Sequence, residues 1–418
     1  MKGNKLRILV SAYACEPGKG SEPGVGWNWM TQIAKFAEVW VITRANNKEV
    51  IEEELNKNPL SDLHFVYVEL PRWMRFWKKG QRGIHLYYYL WLIWTYQIAK
   101  RLNKTMRFDL AHHLTFGVYS SPSFMALLPI PFIWGPIGGV DTVPKLLRMS
   151  LGIKGGVYEW IHDVGHKIKF TFDPFVHITL KRSYFIICRT KQTLEYIKRF
   201  VNTDKVTMIL ETGSVPFNFL NLVNSNPHFR IFSAGRFIAW KGFILALFAF
   251  AEFYDKEHIN SIFEIAGKGY EMNRLKDAAR KLGITDKVKF LGEIPRRDVI
   301  KKLTNCDVFV YPSLREGGSW SLMEALSAGK PIVCLDYSGT GEMVTEECGI
   351  KVRPVTIDQT IKGLADALLR LANNPDLRKK MGEAARKRAE EVYSWNRKGE
   401  FIRKLYESVL NNESTSCP

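Results

Sequence analysis

The fold is decided by the stretch Tyr311-Pro-Ser-Leu-Arg-Glu-Gly-Gly-Ser-Trp-Ser-Leu-Met-Glu-Ala-Leu-Ser-Ala-Gly-Lys-Pro-Ile-Val-Cys334. It continues the run 307–311, Asp-Val-Phe-Val-Tyr, whose apolar, β-branched and aromatic residues are typical of a buried parallel strand. Pro312 ends that strand, and a polar loop containing Glu316 follows. The pattern predicts a strand, a loop and a helix, which is the repeating unit of a parallel α/β sheet.

The loop and the helix carry two carboxylates, Glu316 and Glu324, which are separated by seven residues. The pair Gly317–Gly318 lets the backbone approach a ligand closely, and Ser319 or Ser321 can cap the helix. Free N–H groups at a helix start favour an anion such as a diphosphate, and a helical carboxylate can accept hydrogen bonds from the vicinal hydroxyls of a ribose. The segment therefore favours a sugar-nucleotide site over an ordinary loop-to-helix junction with two solvated glutamates.

Strand and helix patterns alternate along the whole chain, which favours an α/β fold with two doubly wound, Rossmann-like domains facing each other across a cleft. We predict domains at 1–210 and 211–393, a linker within 211–228 and a final helix within 394–418. The predicted strands are 6–12, 38–43, 64–68, 109–113, 131–134, 184–188, 230–234, 261–266, 288–291, 307–311 and 331–335.

The composition is that of an ordinary globular protein, with 46% hydrophobic and 24% charged residues, and 418 residues suit two or at most three domains. The six cysteines form no Cys-x-x-Cys pair and have no metal-ligand spacing, which favours a reduced, intracellular protein. The N-terminal apolar run Ile8–Val10 is too short for a signal peptide. No run reaches the ~18 apolar residues of a membrane-spanning helix.

Net charge is +18, and residues 1–210 hold most of the excess, with 29 Lys and Arg against 16 Asp and Glu. A net charge of this size suggests a nucleic-acid-binding protein as an alternative function, but the basic residues form no recognised RNA or DNA module. Gly267-Lys-Gly269 follows a predicted strand, yet Met272 leaves the dinucleotide fingerprint incomplete, which disfavours a nicotinamide enzyme.

Two cations, Arg236 and Lys241, follow the strand predicted at 230–234 and lie where open α/β sheets bind ligands. Preorganised cations stabilise the negative charge that develops on a leaving diphosphate. Because these residues and helix termini can supply that charge, we expect no divalent metal. In the N-terminal half, Gly24 and Gly26 are interpreted as a loop whose amides reach a phosphate, with a ligand-free tight turn as the alternative. Glu22 is a candidate acceptor contact.

These motifs carry a family resemblance. The frame of Glu316 and Glu324, followed by Ala-Leu-Ser-Ala-Gly-Lys-Pro-Ile-Val, resembles the E-x7-E signature of retaining GT-B glycosyltransferases of family 4, the glycosyl transferases group 1. The stretch 231–242 resembles the Arg-x4-Lys element of the same family, and 14–27 resembles the glycine loop of its bacterial envelope and exopolysaccharide branch. The resemblance covers most of the chain.

The resemblance implies an enzyme that moves a sugar, with retention, from an NDP-sugar to a hydroxyl of a glycan or lipid-linked glycan in bacterial polysaccharide biosynthesis. By this resemblance Arg236 and Lys241 bind the diphosphate, Glu324 binds the ribose and Glu316 contacts the donor sugar. The sugar would be replaced from the same face, and the leaving phosphate would help to deprotonate the acceptor. The final helix would cross back onto the first, acceptor-binding domain. A catalytically silent scaffold of the same fold is the alternative.

A histidine pair, His112 and His113, ends the strand predicted at 109–113. In the resembled enzymes a histidine near this point lies at the reacting face of the sugar, and we prefer His113 as catalytic, with His112 on the acceptor side or packed behind it. Adjacent strand residues face opposite sides, so only one of the two can point to a ligand. Gly138 and Gly139 either shape the acceptor side or form a structural turn.

Residues 71–108 contain no acidic side chain, and their basic and aromatic residues suit the interface of an anionic bilayer. We therefore predict a cytoplasmic protein bound peripherally to the inner face of the membrane, with a core helix and a solvated basic flank as the alternative. The residues concerned are Arg72, Trp73, Arg75, Phe76, Trp77, Lys78, Lys79, Arg82, Tyr87, Tyr88, Tyr89, Trp91, Trp94, Tyr96, Lys100, Arg101, Lys104 and Arg107.

Overall fold

The computed structural model describes residues 5–78, 80, 83–214, 228–257 and 259–411. The chain forms two compact units. Unit 1 consists of Met1–Val140, Gly165–Glu211 and Trp395–Pro418, and unit 2 consists of Asp141–Val164 and Thr212–Ser394. Most of the predicted linker, together with Lys79, Arg82 and Cys417, lies outside the described residues.

Unit 1 is built on a parallel sheet that has seven strands within the described residues, in the order β3-β2-β1-β4-β5-β6-β7. The chain winds outward from β1 to β3 and then resumes beside β1 at β4, so the strand order reverses between β1 and β4. The strands are β1 Leu6–Ser11, β2 Ala37–Arg44, β3 Leu63–Val68, β4 Leu110–His113, β5 Phe132–Ile137, β6 Phe185–Cys188 and β7 Val206–Met208.

Helices cover both faces of this sheet, which explains why β1 is apolar on both sides: Ile8, Leu9 and Val10 are all fully buried. The helices are α1 Ser21–Ile33, α2 Lys48–Lys57, α3 Arg72–Arg75, α4 Ile84–Met106, α5 Gly152–Phe172, α6 Pro174–Arg182, α7 Lys191–Ile197 and α15 Trp395–Asn411. Helix α5 contributes its last eight residues to unit 1 and the rest to unit 2.

The final helix α15 is part of unit 1, and its polar groups fasten it there. Tyr406 places its hydroxyl 2.6 Å from Nδ1 of His112 on β4. The buried Lys398 donates a hydrogen bond to the carbonyl oxygen of Leu210. Trp395 packs edge-on against Trp29 of α1. A helix was predicted within 394–418, and α15 lies within that range.

Unit 2 contains a second parallel sheet, with six strands in the described part of the chain, ordered β10-β9-β8-β11-β12-β13. Its strands are β8 Phe229–Ala234, β9 Ser261–Ala266, β10 Val288–Gly292, β11 Val308–Tyr311, β12 Ile332–Leu335 and β13 Gly349–Val352. Its helices are α8 Phe243–Glu257, α9 Met272–Lys281, α10 Arg296–Asn305, α11 Trp320–Ser327, α12 Ser338–Met343, α13 Ile357–Ala372 and α14 Pro375–Glu391.

The predicted fold class, two doubly wound parallel α/β domains, is confirmed, and every predicted strand is present. Two strands were not predicted. β7 has three residues, and β13 begins with Gly349 and includes Lys351, so neither shows the apolar run of a buried strand. Both lie at the edge of their sheet, where burial and therefore sequence pattern are weakest.

One segment departs from the predicted domain bounds. Asp141–Val164, which falls inside 1–210, belongs to unit 2. Val143, Leu147 and Leu151 recur at helical spacing and are buried in the hydrophobic core of unit 2. Tyr337 also donates a hydrogen bond of 2.8 Å to the carbonyl oxygen of Thr142. The chain therefore contributes to unit 2 twice.

Most aromatic residues of the stretch 71–108 lie in or against the hydrophobic core of unit 1. Tyr87, Tyr88 and Trp91 on α4 belong to the hydrophobic core of unit 1, which supports the alternative of a core helix for this part. Trp73 and Phe76, on and just after the short α3, are exposed. Among the residues that the structure describes, no helix has the length and the apolar character needed to cross a bilayer.

Candidate active site

In unit 2 the carboxyl ends of β8 and β11 bring Lys241 and Glu316 together. Lys241 ends a 3-10 turn, and the next residue, Gly242, has a φ of 68°. A Cβ at Gly242 would overlap the carbonyl oxygen of Pro312, so only glycine lets this turn approach the loop that carries Glu316. The glycine after Lys241 is thus part of the site's construction.

Lys241, Glu316 and Tyr311 form a closed polar triangle. The ammonium group of Lys241 forms an ion pair with the carboxylate of Glu316 and donates a hydrogen bond of 2.6 Å to the hydroxyl of Tyr311. That hydroxyl donates to Oε2 of Glu316 over 2.7 Å. The triangle is largely shielded, since Lys241 is 9% exposed.

The two charges hold each other ionised. Burial alone would lower the pKa of Lys241, but the carboxylate of Glu316 and the Tyr311 hydroxyl outweigh it and raise that pKa. Burial would likewise raise the pKa of Glu316, but the charge and hydrogen bond of Lys241 outweigh it and lower that pKa. Both groups therefore stay charged through the neutral range, which gives the site a fixed cation beside a fixed anion.

The backbone of Glu316 is fixed by the start of α12, which sequence reasoning missed. The N–H of Glu316 donates to Oγ of Ser338 over 3.2 Å, and the N–H of Gly339 donates to the carbonyl oxygen of Glu316 over 2.9 Å. A Cβ at Gly339 would overlap the carbonyl oxygen of Gly317. The Ser-Gly-Thr-Gly run at 338–341, which begins three residues after the end of β12, is the sequence signal for this contact.

The predicted loop-to-helix junction at α11 is present. Ser319, rather than Ser321, caps the helix, and its side chain accepts from the N–H of Leu322 over 3.2 Å. Gly317 and Gly318 precede the cap, and both are partly exposed. The carbonyl oxygen of Gly318 accepts a hydrogen bond of 3.0 Å from Thr212.

Glu324 lies on α11 and is 4% exposed. Its Oε1 accepts hydrogen bonds from Nε of Arg296 at 2.8 Å and from the indole N–H of Trp320 at 3.0 Å. Burial raises its pKa, and Arg296 and Trp320 only partly oppose that shift. Oε1 is thereby oriented by two donors, and Oε2 is the oxygen left to accept hydrogen bonds from a ligand. Arg296 and Trp320 were not predicted.

A pocket of about 660 Å³ opens at the carboxyl ends of β8, β9 and β10. Its wall is made by backbone, since a Cβ at Gly267 or Gly269 would overlap the carbonyl oxygens of Gly235 and Phe237. Arg236 is exposed at this pocket, and its guanidinium group makes no hydrogen bond or ion pair with any residue in the described ranges. Other lining residues are Ile238, Glu293, Ile294 and Val299.

Arg315, next to Glu316, is a further residue that sequence reasoning missed. Its guanidinium group lies 2.9 Å from Oε2 of the buried Glu159 and 3.0 Å from Nδ1 of His162. Together with Asp163, these two residues place three ligand-type atoms within 4.8 Å of one another. The guanidinium group of Arg315 supplies the positive charge in this cluster. Because Arg315 precedes Glu316, its contacts with Glu159 and His162 hold the loop of Glu316 in place.

In unit 1 the interpretation of Gly24 and Gly26 as a loop is wrong. Helix α1 begins at Ser21, and both glycines lie inside it and are buried. Pro23 is tolerated in the first turn of a helix, where its missing N–H has no partner to lose. Gly26 is required by packing, because a Cβ there would overlap the carbonyl oxygen of Ala14. The chain reverses before the helix, at Gly18 with a φ of 69°.

Glu22 connects distant parts of unit 1. Its Oε1 accepts from the N–H of Phe116 over 2.7 Å and from Arg189 over 3.0 Å. Arg189 also forms an ion pair with Glu211 and donates to the carbonyl oxygen of Pro136. Burial would lower the pKa of Arg189, but Glu211 and Glu22 outweigh it and raise that pKa. Glu22 is thus held, partly buried, in an ion pair with Arg189, and its contact with an acceptor stays a prediction.

His112 is enclosed, and its predicted acceptor-side position is not supported. It is fully buried, and its Nε2 lies 2.7 Å from the carbonyl oxygen of Gly135. Its Nδ1 is bonded to the Tyr406 hydroxyl. Burial lowers its pKa to about 3. His112 is therefore a neutral residue that joins β4 to β5 and α15, as its packing alternative predicted.

His113, the predicted catalytic histidine, is also buried, with 2% exposure. Nδ1 lies 2.9 Å from the hydroxyl of Ser123, and Nε2 lies 3.1 Å from both the Tyr88 hydroxyl and the carbonyl oxygen of Thr115. The carbonyl partner requires the proton on Nε2, and burial lowers the pKa of the ring to about 4. Both nitrogens are used within unit 1, so the structure gives His113 a positioning role.

Gly138 and Gly139 are needed for close packing. A Cβ at Gly138 would lie 3.0 Å from Cδ of Arg189, and one at Gly139, whose φ is 92°, would lie 2.9 Å from Cγ1 of Val118. Gly138 is buried and exchanges backbone hydrogen bonds with Gly117 and Tyr119. This geometry supports the structural turn that was the alternative for these two residues.

A comparison with protein families finds a match within unit 2. A protein-family model described as "Glycosyl transferases group 1" matches residues 221–388, which contain Arg236, Lys241, Glu316 and Glu324. The match covers the part of the chain that carries the motifs quoted above, and it agrees with the predicted protein class, a glycosyltransferase.

Curated relatives are also glycosyltransferases. The chain is 23% identical over 262 residues to an uncharacterized glycosyltransferase of Methanocaldococcus jannaschii, covering 59% of this chain and 64% of that protein. It is 29% identical over 153 residues to the GDP-mannose-dependent monoacylated alpha-(1-6)-phosphatidylinositol monomannoside mannosyltransferase of Corynebacterium glutamicum, covering 34% and 38%. The chain thus spans less than two thirds of the length of these two relatives.

Solved structures of glycosyltransferases share the fold. Sucrose-phosphate synthase from Thermosynechococcus elongatus has a TM-score of 0.68 at 15% identity, over 97% of this chain and all of that chain. WaaG, a glycosyltransferase involved in lipopolysaccharide biosynthesis, has a TM-score of 0.59 at 17% identity, over 94% and 99%. HepE from Anabaena, solved with UDP and glucose, has a TM-score of 0.61 at 14% identity, over 96% and 100%. At these identities the likeness concerns the fold, which is GT-B.

Substituting Lys241 should make stability depend on pH in a specific direction. In Lys241→Met the buried Glu316 loses its partner, so burial should raise its pKa above the unfolded value, where the wild type holds it below. The free energy of unfolding of the variant should therefore fall relative to wild type as pH rises from about 4 to about 7, by roughly 3 kcal/mol for a broken buried pair. Urea unfolding at several pH values measures this.

The double variant Lys241→Met/Glu316→Gln is the matched control, because it removes the buried charge as well. Its stability relative to wild type should change much less with pH over the same range. Identical pH profiles for wild type and Lys241→Met would show that the two charges are not coupled.

Proposed function

We propose that the protein is a retaining, family 4 glycosyltransferase. It moves a sugar from an NDP-sugar to a hydroxyl of a glycan or lipid-linked glycan in bacterial polysaccharide biosynthesis. The observation that carries the proposal is the carboxyl edge of the sheet in unit 2, where Lys241, Glu316 and Glu324 surround the start of α11 and Arg236 lies beside a pocket. Open α/β folds bind their ligands at this edge.

Each part of an NDP-sugar has a chemical partner there. The diphosphate needs fixed positive charge, which Arg236 and Lys241 supply together with the N–H groups at the start of α11. The vicinal hydroxyls of a ribose suit Oε2 of Glu324, whose other oxygen is already oriented. The backbone-walled pocket beside Gly267 and Gly269 has a mostly apolar lining that suits a nucleobase.

Glu316 is proposed to contact the donor sugar. Its carboxylate is ionised and immobilised by Lys241 and Tyr311, so it can accept hydrogen bonds from sugar hydroxyls without reorganising. We assign no residue as a covalent nucleophile. The sugar is replaced from the same face, and the departing phosphate takes the proton of the acceptor hydroxyl. In this scheme the protein's cations stabilise the leaving group, and no metal is invoked.

Unit 1 is proposed to bind the acceptor. His113 acts there as a positioning residue, because its ring connects the Tyr88 hydroxyl, Ser123 and the backbone at Thr115. The proposed location is the cytoplasm, peripherally at the inner face of the membrane, where a lipid-linked acceptor is presented. UDP-, GDP- and dTDP-sugars are all compatible donors, and a thermal-shift panel selects among them because a bound donor raises the melting temperature.

Two substitutions test the donor site. Lys241→Ala and Glu324→Ala should each lower turnover of the selected donor at least about 100-fold, since each removes a group that positions or stabilises the leaving nucleotide. Turnover is measured as nucleoside diphosphate released. Matched controls are Lys276→Ala and Glu383→Ala, which remove exposed residues of α9 and α14 in the same unit.

Both site variants should keep the circular dichroism spectrum of the wild type. Wild-type turnover in either of them would overturn the site assignment. Undetectable turnover of every donor by the wild type, with donor binding intact, would instead favour the catalytically silent scaffold.

The stereochemical outcome is a separate prediction. Because both the incoming hydroxyl and the leaving phosphate are proposed to use the same face of the sugar, the product should keep the anomeric configuration of the donor. Proton NMR of the first product formed measures this through the coupling constant of the anomeric proton. An inverted configuration would rule out the retaining mechanism while leaving the donor-site residues in place.

A further inference from the structure

Unit 2 carries a segment with its apolar side chains outward. In Lys145–Ile161, which runs into the first turns of α5, the exposed fractions of six large apolar residues lie between 52% and 89%. These residues are Leu146, Met149, Ile153, Val157, Trp160 and Ile161. Ile153, Val157, Trp160 and Ile161 recur at spacings of three and four residues and so lie along one side of α5. Leu146 and Met149 are exposed on the 3-10 helix Lys145–Leu151, which ends at Gly152 immediately before α5. We call this set, with the neighbouring lysines, the α5 surface.

The opposite side of α5 is polar and buried, which is the reverse of an ordinary surface helix. Glu159 is 1% exposed, and its carboxylate is paired with Arg315 at 2.9 Å. Asp163, one turn further, is paired with Arg148 at 2.9 Å. These two ion pairs fix the rotation of the helix. Turning the apolar side chains inward would expose Arg315 and strip both carboxylates of their partners.

The exposed charge of this segment is positive. Glu159 and Asp163 are the acidic residues between 145 and 164, and both are turned inward. Lys145 and Lys154 are exposed beside the apolar residues. The part of α5 that belongs to unit 1 repeats the pattern by itself, since Ile168 and Phe172 are exposed together with Lys167 and Lys169.

We propose that the α5 surface docks the protein on an anionic lipid bilayer. A tryptophan and aliphatic side chains on one helical face, bordered by lysines, have the chemistry of a helix lying in a membrane interface. The apolar side chains enter the acyl boundary, and Lys145 and Lys154 pair with anionic headgroups. Contiguous exposed apolar side chains of this kind mark interaction sites on otherwise polar monomers.

A second copy of the chain fits this surface less well. In a symmetric dimer the same patch meets itself, so Lys145 and Lys154 would face their own copies with no exposed carboxylate in the segment to pair them. A bilayer with anionic headgroups offers the opposite charge at every position. Charge complementarity therefore selects the bilayer.

The α5 surface differs from the stretch 71–108 that the sequence suggested. There, Tyr87, Tyr88 and Trp91 are core residues, and the exposed aromatic residues are Trp73 and Phe76. The inference rests on the proposed peripheral location for its biological setting. Its test is a binding measurement that does not depend on sugar transfer.

The test is flotation of the full-length protein with phosphatidylcholine vesicles, with and without phosphatidylglycerol. The wild type should float with anionic vesicles, and Ile153→Glu/Trp160→Glu should bind them at least about tenfold more weakly, since it replaces two inserted side chains with repelled carboxylates. The matched control Trp73→Glu/Phe76→Glu changes two exposed aromatic residues of unit 1 and should retain binding. In Lys145→Ala/Lys154→Ala the affinity for anionic vesicles should fall about fivefold for each lysine removed.

The proposal would be overturned if Ile153→Glu/Trp160→Glu bound anionic vesicles as well as the wild type does. It would also be overturned if only the control Trp73→Glu/Phe76→Glu lost vesicle binding. Sedimentation velocity tests whether a second copy of the chain binds this surface instead. If the wild type is a dimer and Ile153→Glu/Trp160→Glu is a monomer, the surface is a dimer interface. All substituted residues are exposed, so the variants should keep the wild-type melting temperature. Donor turnover should also be unchanged in Ile153→Glu/Trp160→Glu, which separates failure of this inference from failure of the proposed function.

Discussion

The ion pair of Lys241 and Glu316 is the interaction on which the site in unit 2 depends. It joins the turn after β8 to the loop after β11, two strands that are neighbours in the sheet, although Lys241 and Glu316 lie 75 residues apart in sequence. Burying either charge alone would cost several kcal/mol, so the pair is stable only when both loops are in place. Tyr311 completes the arrangement by accepting from the ammonium group and donating to the carboxylate.

Around this pair, the site is assembled from backbone that approaches closely. Gly242 lets the Lys241 turn reach Pro312, Gly339 supports the carbonyl of Glu316, and Gly267 and Gly269 form a pocket wall. Side chains then orient the functional groups: Arg296 and Trp320 hold one oxygen of Glu324, and Glu159 holds Arg315 beside Glu316. The result is a preorganised set of charges, which is what stabilisation of a developing phosphate charge requires.

The sequence predicted the parallel strands and the loop-to-helix junction at α11 well because both have strong local signals. A buried parallel strand is an uninterrupted apolar run, and a ligand-binding loop follows it directly. Arg296, Arg315 and Ser338 were missed because their roles come from partners at 324, 159 and 316, and no local pattern encodes such contacts.

In unit 1 the same reasoning gave wrong interpretations where packing decided. Gly24 and Gly26 suggested a loop, but burial against Ala14 makes Gly26 a helix-packing residue. The two histidines at the end of β4 are placed as ligand-binding residues often are, yet their ring nitrogens form hydrogen bonds inside the unit, as does Oε1 of Glu22 on α1. In α5 the opposite happens. Apolar residues at helical spacing ordinarily mark a buried face, but here they are exposed because the ion pairs of Glu159 and Asp163 hold the other face inward.

A crystal structure with the selected NDP-sugar bound tests the central claim most directly. The diphosphate should lie within hydrogen-bonding distance of Arg236 and Lys241, the ribose hydroxyls should donate to Oε2 of Glu324, and the base should occupy the pocket beside Gly267 and Gly269. A donor bound elsewhere, with Glu324 and Arg236 free of contact to it, would contradict the claim that this edge of the sheet is the sugar-nucleotide site.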